Sequence, residues 1–437
     1  MNSLLSAKRV HVIGIGGIGL SALAQYFAHH GARVIGSDSS ESPVAAHLRT
    51  QGITVFIGHR KEQLSPDTEL VLYSVAIAKD NPELVAAKTL GINILSYPQG
   101  LAELTRTHDT IAVAGTHGKT TTTAMIGDVL FAASLDPTVI VGSLMSRTGS
   151  NLLVGDGKHF VLEADEYRRA FLNYTPKIIL LTNIDVDHLD YYKDLADIQS
   201  AFRTFAEKLS AEGVLITDLS SPTILPILSG LSCRVVDWRS FLPQAHTFTL
   251  HVPGEHNIWN AACALAVAEE LHISPSTAEG ALAAFRGTWR RIEEKGTTTN
   301  GVTVYDDYGH NPTEIRATLK ALHQKYPSRQ LTVLFQPHLY SRTKLLLADF
   351  ATCFADADRV LVTDIYAARE APDPSISGEI LASEIAKHHP DVTYIGSLEA
   401  VMPKLTQLIP PRSLFLTQGA GDGYKVGEAF LRSASAV

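Results

Sequence analysis

Cysteine is scarce. The chain has three in 437 residues, Cys233, Cys263 and Cys353, and no pair has the spacing of a disulfide framework or a zinc site. Two of them fall in apolar, helix-like stretches and are expected to be small core residues. An excess of basic charge is missing too: 37 Lys and Arg face 45 Asp and Glu, a formal net charge of -8. That balance excludes a general affinity for nucleic acid, whose phosphates demand a basic surface, so any anionic ligand must meet local positive groups. No apolar run approaches the ~20 residues that span a bilayer, so no membrane insertion is expected. The opening stretch MNSLLSAKRVHVIGIGG passes straight into a strand. It lacks the basic segment, apolar stretch and small-residue cleavage site of an export signal, which makes the expected location cytoplasmic. Low-complexity tracts and fixed-period repeats are also lacking.

What is present is the composition of an ordinary globular protein, 45% hydrophobic and 19% charged. A chain this long exceeds one core, and ~150 residues per domain suggests about three. Strand-like runs such as RVHVIGI, LVLYSVA, TIAVAG, IILLTNI, LTVLFQ and RVLVTDI alternate with helix-like segments. This is the pattern of parallel sheets covered on both faces. The expected fold class is therefore α/β, with three domains that are each a mainly parallel sheet with flanking helices. Their expected bounds are 1–107, 108–291 and 292–437.

Two glycine clusters carry the chemistry. Gly14, Gly16, Gly17 and Gly19 follow a strand and open a helix, where tight turning lets a diphosphate approach the helix N-terminus. Asp38, at the end of the next strand, is placed to accept from a ribose hydroxyl. Alone this pattern would suit a dehydrogenase, and it does not separate NAD from another nucleotide diphosphate. The second cluster, IAVAGTHGKTTTT from Ile111 to Thr123, tips the choice. Lys119 can neutralise β and γ phosphates, Thr120 can offer a hydroxyl to Mg²⁺, and Gly115 to Gly118 can aim N–H groups at phosphate oxygens. ATP is the expected ligand, although only Thr116 and His117 separate the two glycines, fewer than in the usual loop.

Other strand ends are unusually polar. HFVLEADEY delivers Glu163, Asp165 and Glu166, of which one is expected to hold Mg²⁺, a hard cation that takes oxygen ligands. IILLTNIDVDHLDYY delivers Asn183, Asp185, Asp187 and His188. Histidine is an unusual Mg²⁺ ligand, so the residues alone leave a metal role and a structural role open. Asn257 and Asn260 share a helical face beside His256, and Arg290 and Arg291 sit at the expected domain boundary. VYDDYGHNPTEI brings Asp306, Asp307, Tyr308 and His310 to a strand end, with Asn311 as a helix cap before Pro312. LTVLFQPHLYSRTK brings His338, Ser341 and Arg342, and LTQGAGDGYK brings Gly419, Gly421 and Asp422. Strand C-terminal ends are where open parallel sheets bind ligands.

Taken together, GTHGKTTTT, EADEYRRAFL, TNIDVDHLDYY, GEHNIWNA, DDYGHNPTE and FQPHLYSRT resemble the Mur ligase family over essentially the whole chain. Those ATP-dependent ligases build the peptide stem of bacterial peptidoglycan, and the short phosphate loop is normal among them; the resemblance implies a Rossmann-like N-terminal domain for the UDP sugar, a central phosphate-loop ATPase domain and a Rossmann-like C-terminal domain. The likeness is greatest to members that add the first residue, which implies UDP-N-acetylmuramate and L-alanine as substrates and ATP with Mg²⁺ as cofactors. The resemblance implies phosphate contacts from Gly115, Thr116, His117, Gly118, Lys119, Thr120 and Thr121. It implies Mg²⁺ ligation by Thr120 and Glu163, and a second metal on His188. Asn257 and Asn260 would meet the adenine side, Arg291 the phosphates and Asp307 the ribose. Gly16, Gly17, Ile18, Asp38 and Ser74 would bind the UDP portion, and Tyr308, His310, His338 and Arg342 would surround the amino acid and acyl group. The expected catalytic set is Lys119, Glu163, His188, His310 and Arg342.

Three positions depart from the family pattern. Asn311 stands where a second histidine is common, Leu339 stands where arginine is common, with Lys344 as a possible substitute, and Arg203 stands where relatives carry a carbamylated lysine. A guanidinium stays protonated and does not form that carbamate. Rival readings are a recycling ligase that adds a whole tripeptide, the dehydrogenase, and a module that uses ATP only as a switch. The expected assembly is a monomer or weak homodimer.

Overall fold

A computed structural model describes residues 4–434 except 190 and 369; Asp190, within the DVDHLDYY motif, thus lies outside the described residues. Short aliphatic runs bounded by glycine or polar residues form central strands buried on both faces, as a sheet covered by helices requires. The first sheet contains β1 (Arg9–Ile13), β2 (Arg33–Asp38), β3 (Thr54–Ile57), β4 (Leu70–Tyr73) and β5 (Asn93–Ser96). It is wholly parallel in the order β3-β2-β1-β4-β5. The chain leaves β1 in one direction and returns at β4 in the other, which opens a crevice at the glycine turn that follows β1.

The second sheet contains β6 (Asp109–Ala114), β7 (Thr138–Ile140), β8 (Leu152–Leu153), β9 (His159–Glu163), β10 (Ile178–Leu181), β11 (Val214–Thr217) and β12 (Arg234–Asp237). Its order is β12-β11-β10-β6-β9-β7-β8, and only the β7–β8 pair is antiparallel. The glycine loop after β6 therefore emerges between the acidic end of β9 and the polar end of β10. Three motifs separated in sequence meet at one edge for this reason.

The third sheet contains β13 (Glu293–Thr297), β14 (Thr303–Asp307), β15 (Leu331–Phe335), β16 (Arg359–Thr363), β17 (Val392–Gly396) and β18 (Leu414–Gln418), in the order β13-β14-β18-β15-β16-β17. Only β13 runs antiparallel to its neighbour. Sequence reading did not foresee it, because EEKGT carries no apolar alternation and its glycine sits at a register shift. The fold class expected from sequence, three mainly parallel α/β domains, is the one observed. Among the described residues no helix is long and apolar enough to cross a membrane.

By packing the chain divides into two compact units. One runs through Thr249 and takes back Trp259–Phe285; the other comprises Leu250–Ile258 and the chain from Arg286 onward. In the first unit one cluster of buried apolar residues extends from Val10 and Leu23 to Leu162 and Phe205, so its two sheets share a continuous core. Each fully buried aliphatic or aromatic side chain there contributes about 1.5–3 kcal/mol. All three cysteines are buried and free.

Candidate functional site

The phosphate-type loop places glycine at two positions where a side chain would be strained. Gly115 has φ +130°, and a Cβ there would lie 2.1 Å from Thr182 Oγ1. Gly118 has φ +84°, and a Cβ there would lie 2.7 Å from Asn260 Oδ1; left-handed backbone of this kind favours glycine. The loop is stapled to the end of β10. His117 N–H donates to Asn183 Oδ1 at 2.9 Å, and Thr182 Oγ1 and Asn183 Nδ2 donate to His117 O at 2.7 and 3.0 Å. Thr116 N–H donates to Asn183 O at 3.1 Å, and His117 Nε2 lies 3.3 Å from Asp185 Oδ2. Lys119–Ala132 then forms a helix, so its free N–H groups face the loop. Asn260 also accepts from Thr122 Oγ1 at 3.1 Å, which brings this sequence-predicted residue against the loop. Asn257 lies in the first turn of the helix Glu255–Glu270, its Nδ2 donating to Pro253 O at 2.7 Å.

The acidic strand end divides into two groups. Thr120 Oγ1 donates to Glu163 Oε1 at 2.9 Å, and Gly142 N–H donates to Glu163 Oε2 at 2.6 Å. Glu166 instead takes Lys119 Nζ on both oxygens, at 3.1 and 2.8 Å, and lies 3.5 Å from His188 Nε2. Burial opposes the Lys119 charge, but the Glu166 and Asp165 carboxylates outweigh it and hold the ammonium above its ordinary value. Burial likewise works against ionised Glu166, and Lys119 and His188 more than offset this, so its carboxyl is held below the ordinary range. His188 has φ +54°, and its ring lies tilted against that of Tyr167 with centroids 4.9 Å apart. Burial disfavours its charge, yet the Glu166 contact raises its pKa. Of the residues expected to hold metal, Thr120 and Glu163 meet directly, whereas His188 faces Glu166 and Asp165.

In the first sheet the residues expected to bind the UDP portion converge. Gly16 N–H donates to Asp38 Oδ2 at 2.9 Å, and Gly17 caps the helix Ile18–His29. A Cβ on Gly14 would lie 3.1 Å from Ser74 Cβ, so the ends of β1, β2 and β4 line one crevice. Sequence reading missed Asn151, 2% exposed, whose Nδ2 donates to Ile18 O. It ties the helix that follows this glycine turn to the second sheet. No local motif announces it.

The second unit gathers the remaining candidates at its own sheet edge. His338 forms an isolated parallel bridge with Tyr366, and their rings stack at 5.7 Å. Arg342 NH1 lies 3.0 Å from His338 Nδ1, the His310 and His338 rings are 5.8 Å apart, and Tyr308 is 5.4 Å from His310. Arg291 lies over Tyr308 at 5.2 Å and 4.0 Å from Glu314. Asp307 is 4% exposed. Its carboxylate accepts from Ile292 N–H, Gly309 N–H, Thr318 Oγ1 and Gln418 Nε2 at 2.7–3.1 Å, so in this state it organises the loop around it. Asn311 caps the helix Pro312–Lys325 in a capping box with Glu314, the role its position suggested. Of the departures, Arg203 binds Glu207 and the carbonyls of Ile227 and Ser229, Lys344 pairs with Asp373 and Ser375, and Leu339 is buried with φ +70°.

Comparison with known proteins agrees along the chain. Residues 9–109 match the Mur ligase family catalytic domain, 113–240 the Mur ligase middle domain, and 290–421 the Mur ligase glutamate ligase domain. UDP-N-acetylmuramate--L-alanine ligase of Salinibacter ruber is 40% identical, the match covering 97% of this chain and 94% of that protein. The Geobacter sulfurreducens protein of the same name is 40% identical with 97% of both covered. Among solved structures, UDP-N-acetylmuramate-alanine ligase of Thermotoga maritima superposes with a TM-score of 0.80 at 28% identity, covering 97% of this chain and 98% of that one. A phosphate loop flanked by two acidic groups, a nucleotide-type crevice before it and a polar sheet edge after it are thus found in a chain that belongs to the Mur ligase family.

Proposed function

We propose that this protein joins L-alanine to UDP-N-acetylmuramate at the expense of ATP, the first addition in building the peptidoglycan stem peptide. The observation that carries the reading is identity of about 40% along almost the whole chain to ligases of that name. The placement of Lys119, Thr120 and Glu163 at one strand edge supports it. The proposed division of labour gives the UDP sugar to residues 1–107, ATP to 108–291 and the incoming amino acid to 292–437. The protein is proposed to work in the cytoplasm as a monomer or weak homodimer.

A carboxylate is a poor electrophile, so the acid must be activated before an amine can displace anything from it. Transfer of the γ-phosphoryl group to the lactoyl carboxylate gives an acyl phosphate. The alanine amine then attacks the acyl carbon, and the C–O bond to phosphate breaks as the amide forms. The loop N–H groups and Lys119 hold the phosphates and stabilise the charge that spreads over them in the transition state. Gly16 N–H, the Ile18 helix terminus and Asp38 hold the diphosphate and ribose of the sugar nucleotide. His310, His338 and Arg342 offer groups for the amino acid carboxylate and for the proton the amine must lose. Thr120 with Glu163, and His188 with Asp165 and Glu166, fit Mg²⁺: they are hard oxygen donors plus one imidazole, and the ligand atoms of the latter three lie within 4.8 Å of one another. Held by these residues, divalent cations would supply neutralisation of phosphate charge.

The test is ADP release by the purified protein with MgATP, each sugar nucleotide and each amine. Turnover that requires both UDP-N-acetylmuramate and L-alanine supports the proposal. Turnover with L-alanyl-γ-D-glutamyl-diaminopimelate but not with L-alanine would replace it with a recycling ligase, and hydrolysis indifferent to any amine would overturn it.

A further inference from the structure

All the N–H donors of the Lys119 ammonium are already engaged. Nζ donates to Gly115 O at 2.5 Å, to Thr116 O at 3.2 Å and to the Glu166 carboxylate at 2.8 and 3.1 Å. The two carbonyls belong to the loop itself and orient the side chain. The third direction is filled by an anion, and the anion is not a phosphate. Glu166 is 3% exposed at its side chain and its carbonyl accepts from Tyr192 Oη at 2.5 Å, Tyr192 itself being 2% exposed. The backbone that carries the carboxylate is therefore fixed, and the carboxylate itself is buried. Its other face meets His188 Nε2 at 3.5 Å, and with Asp165 these form the group whose ligand atoms lie within 4.8 Å of one another.

We propose that Glu166 is a placeholder for phosphate: it occupies the Lys119 ammonium until a divalent cation at Glu166, Asp165 and His188 draws the carboxylate away and releases the lysine to a nucleotide. This deepens the function proposed above and rests on ATP being the loop's ligand. Two anions on one ammonium in a buried setting repel each other strongly, so nucleotide and unscreened Glu166 exclude one another. A cation on the far side of the carboxylate removes that conflict, and nucleotide and metal affinities become coupled, by reciprocity to the same factor each way. Glu166 is a positioning residue in this scheme, since it acts on phosphate through Lys119.

The experiment is calorimetric titration of ATP into the full-length protein, once in EDTA and once with Mg²⁺. Glu166→Gln is expected to bind ATP about 5–50-fold more tightly than the native protein in EDTA and to gain less from Mg²⁺ than the native protein does. Asp165→Asn removes the same charge from the same cluster but has no hydrogen bond to Lys119, and is expected to leave metal-free ATP affinity within about twofold while weakening the Mg²⁺ effect. Glu166→Asp, which withdraws the charge by one methylene and conserves the fold if the amide does not, should fall between native and Glu166→Gln. Equal tightening in Asp165→Asn would reduce the effect to a general field and overturn the placeholder. Unchanged metal-free affinity in both Glu166 variants would do the same while ATP binding with Mg²⁺ stood. Absence of ATP binding by the native protein under either condition would instead remove the ATP reading and the placeholder with it.

Discussion

Arg290 shows how far one side chain can depart from its sequence neighbourhood. Beside Arg291 at a domain boundary, it reads as half of an exposed basic pair. In the structure it is 4% exposed. Its Nε donates to Asp306 Oδ2 at 2.7 Å, and its NH1 and NH2 donate to the carbonyls of Gly421 and Gly419 at 3.0 and 2.5 Å. The guanidinium lies 4.6 Å from the Tyr424 ring centroid and 5.2 Å from that of Tyr308. Removing one partner of such a pair strands the other, at a cost of about 3–5 kcal/mol. Burial pushes Asp306 up to about 6 in spite of Arg290. Its folded pKa therefore lies above its ordinary value of 3.8, so ionisation opposes folding, and the opposition grows as pH rises through about 6. Arg290→Met should consequently destabilise the second unit more at pH 8 than at pH 5 in urea unfolding; equal loss at both values would show that the guanidinium's packing, not its charge, matters. At Lys119 the expectation concerns function. Lys119→Ala should lower ligation by about 10²–10³-fold or more while UDP-N-acetylmuramate affinity, measured by titration, changes little.

At the scale of elements, the loop from Gly115 to Gly118 and the helix it opens depend on contacts from β10 and from the helix Glu255–Glu270. Those contacts explain why the compressed spacing holds its shape: Asn183 and Thr182 pin the His117 peptide from one side, and Asn260 closes on Gly118 from the other. A methyl at Gly118 meets Asn260 and puts a side chain on left-handed backbone, a conformational cost of about 1–2 kcal/mol. Gly118→Ala should therefore weaken MgATP binding by at least tenfold and leave UDP-N-acetylmuramate affinity unaffected. Adding Asn260→Gly should restore part of the nucleotide affinity, because it removes the atom nearest the new methyl. No rescue would place the whole defect in the backbone.

The whole molecule unfolds, in our expectation, as two units rather than three. The first two sheets share one apolar cluster and a polar seam in which Asn151 binds Ile18 O and Ser150 Oγ donates to Gln25 Oε1 at 3.1 Å. Scanning calorimetry should show two transitions. UDP-N-acetylmuramate and MgATP, each alone, should raise the same one, by about 2.7 kcal/mol of stabilisation at a hundredfold excess over Kd. Ligands that moved separate transitions would divide the first unit after all.

The sequence by itself determined the fold class, the glycine turns and the acidic and basic groups near them, because those depend on local rules: aliphatic runs of strand length, glycine where φ is positive, polar residues at strand ends. The edge strand Glu293–Thr297 was not legible, since its pairing is set by β14 and not by its own residues. Nor was the buried cluster in which Glu83 binds Ser37 at 2.5 Å and His11 at 3.2 Å, each from a different element. Partner choice among nearby charges was likewise decided only by the tertiary structure: Glu163 with Thr120, Glu166 with Lys119 and His188, Asp307 with its own loop. Residues three apart in a line of carboxylates look interchangeable in one dimension, and become distinct when a strand end fixes which way each side chain points.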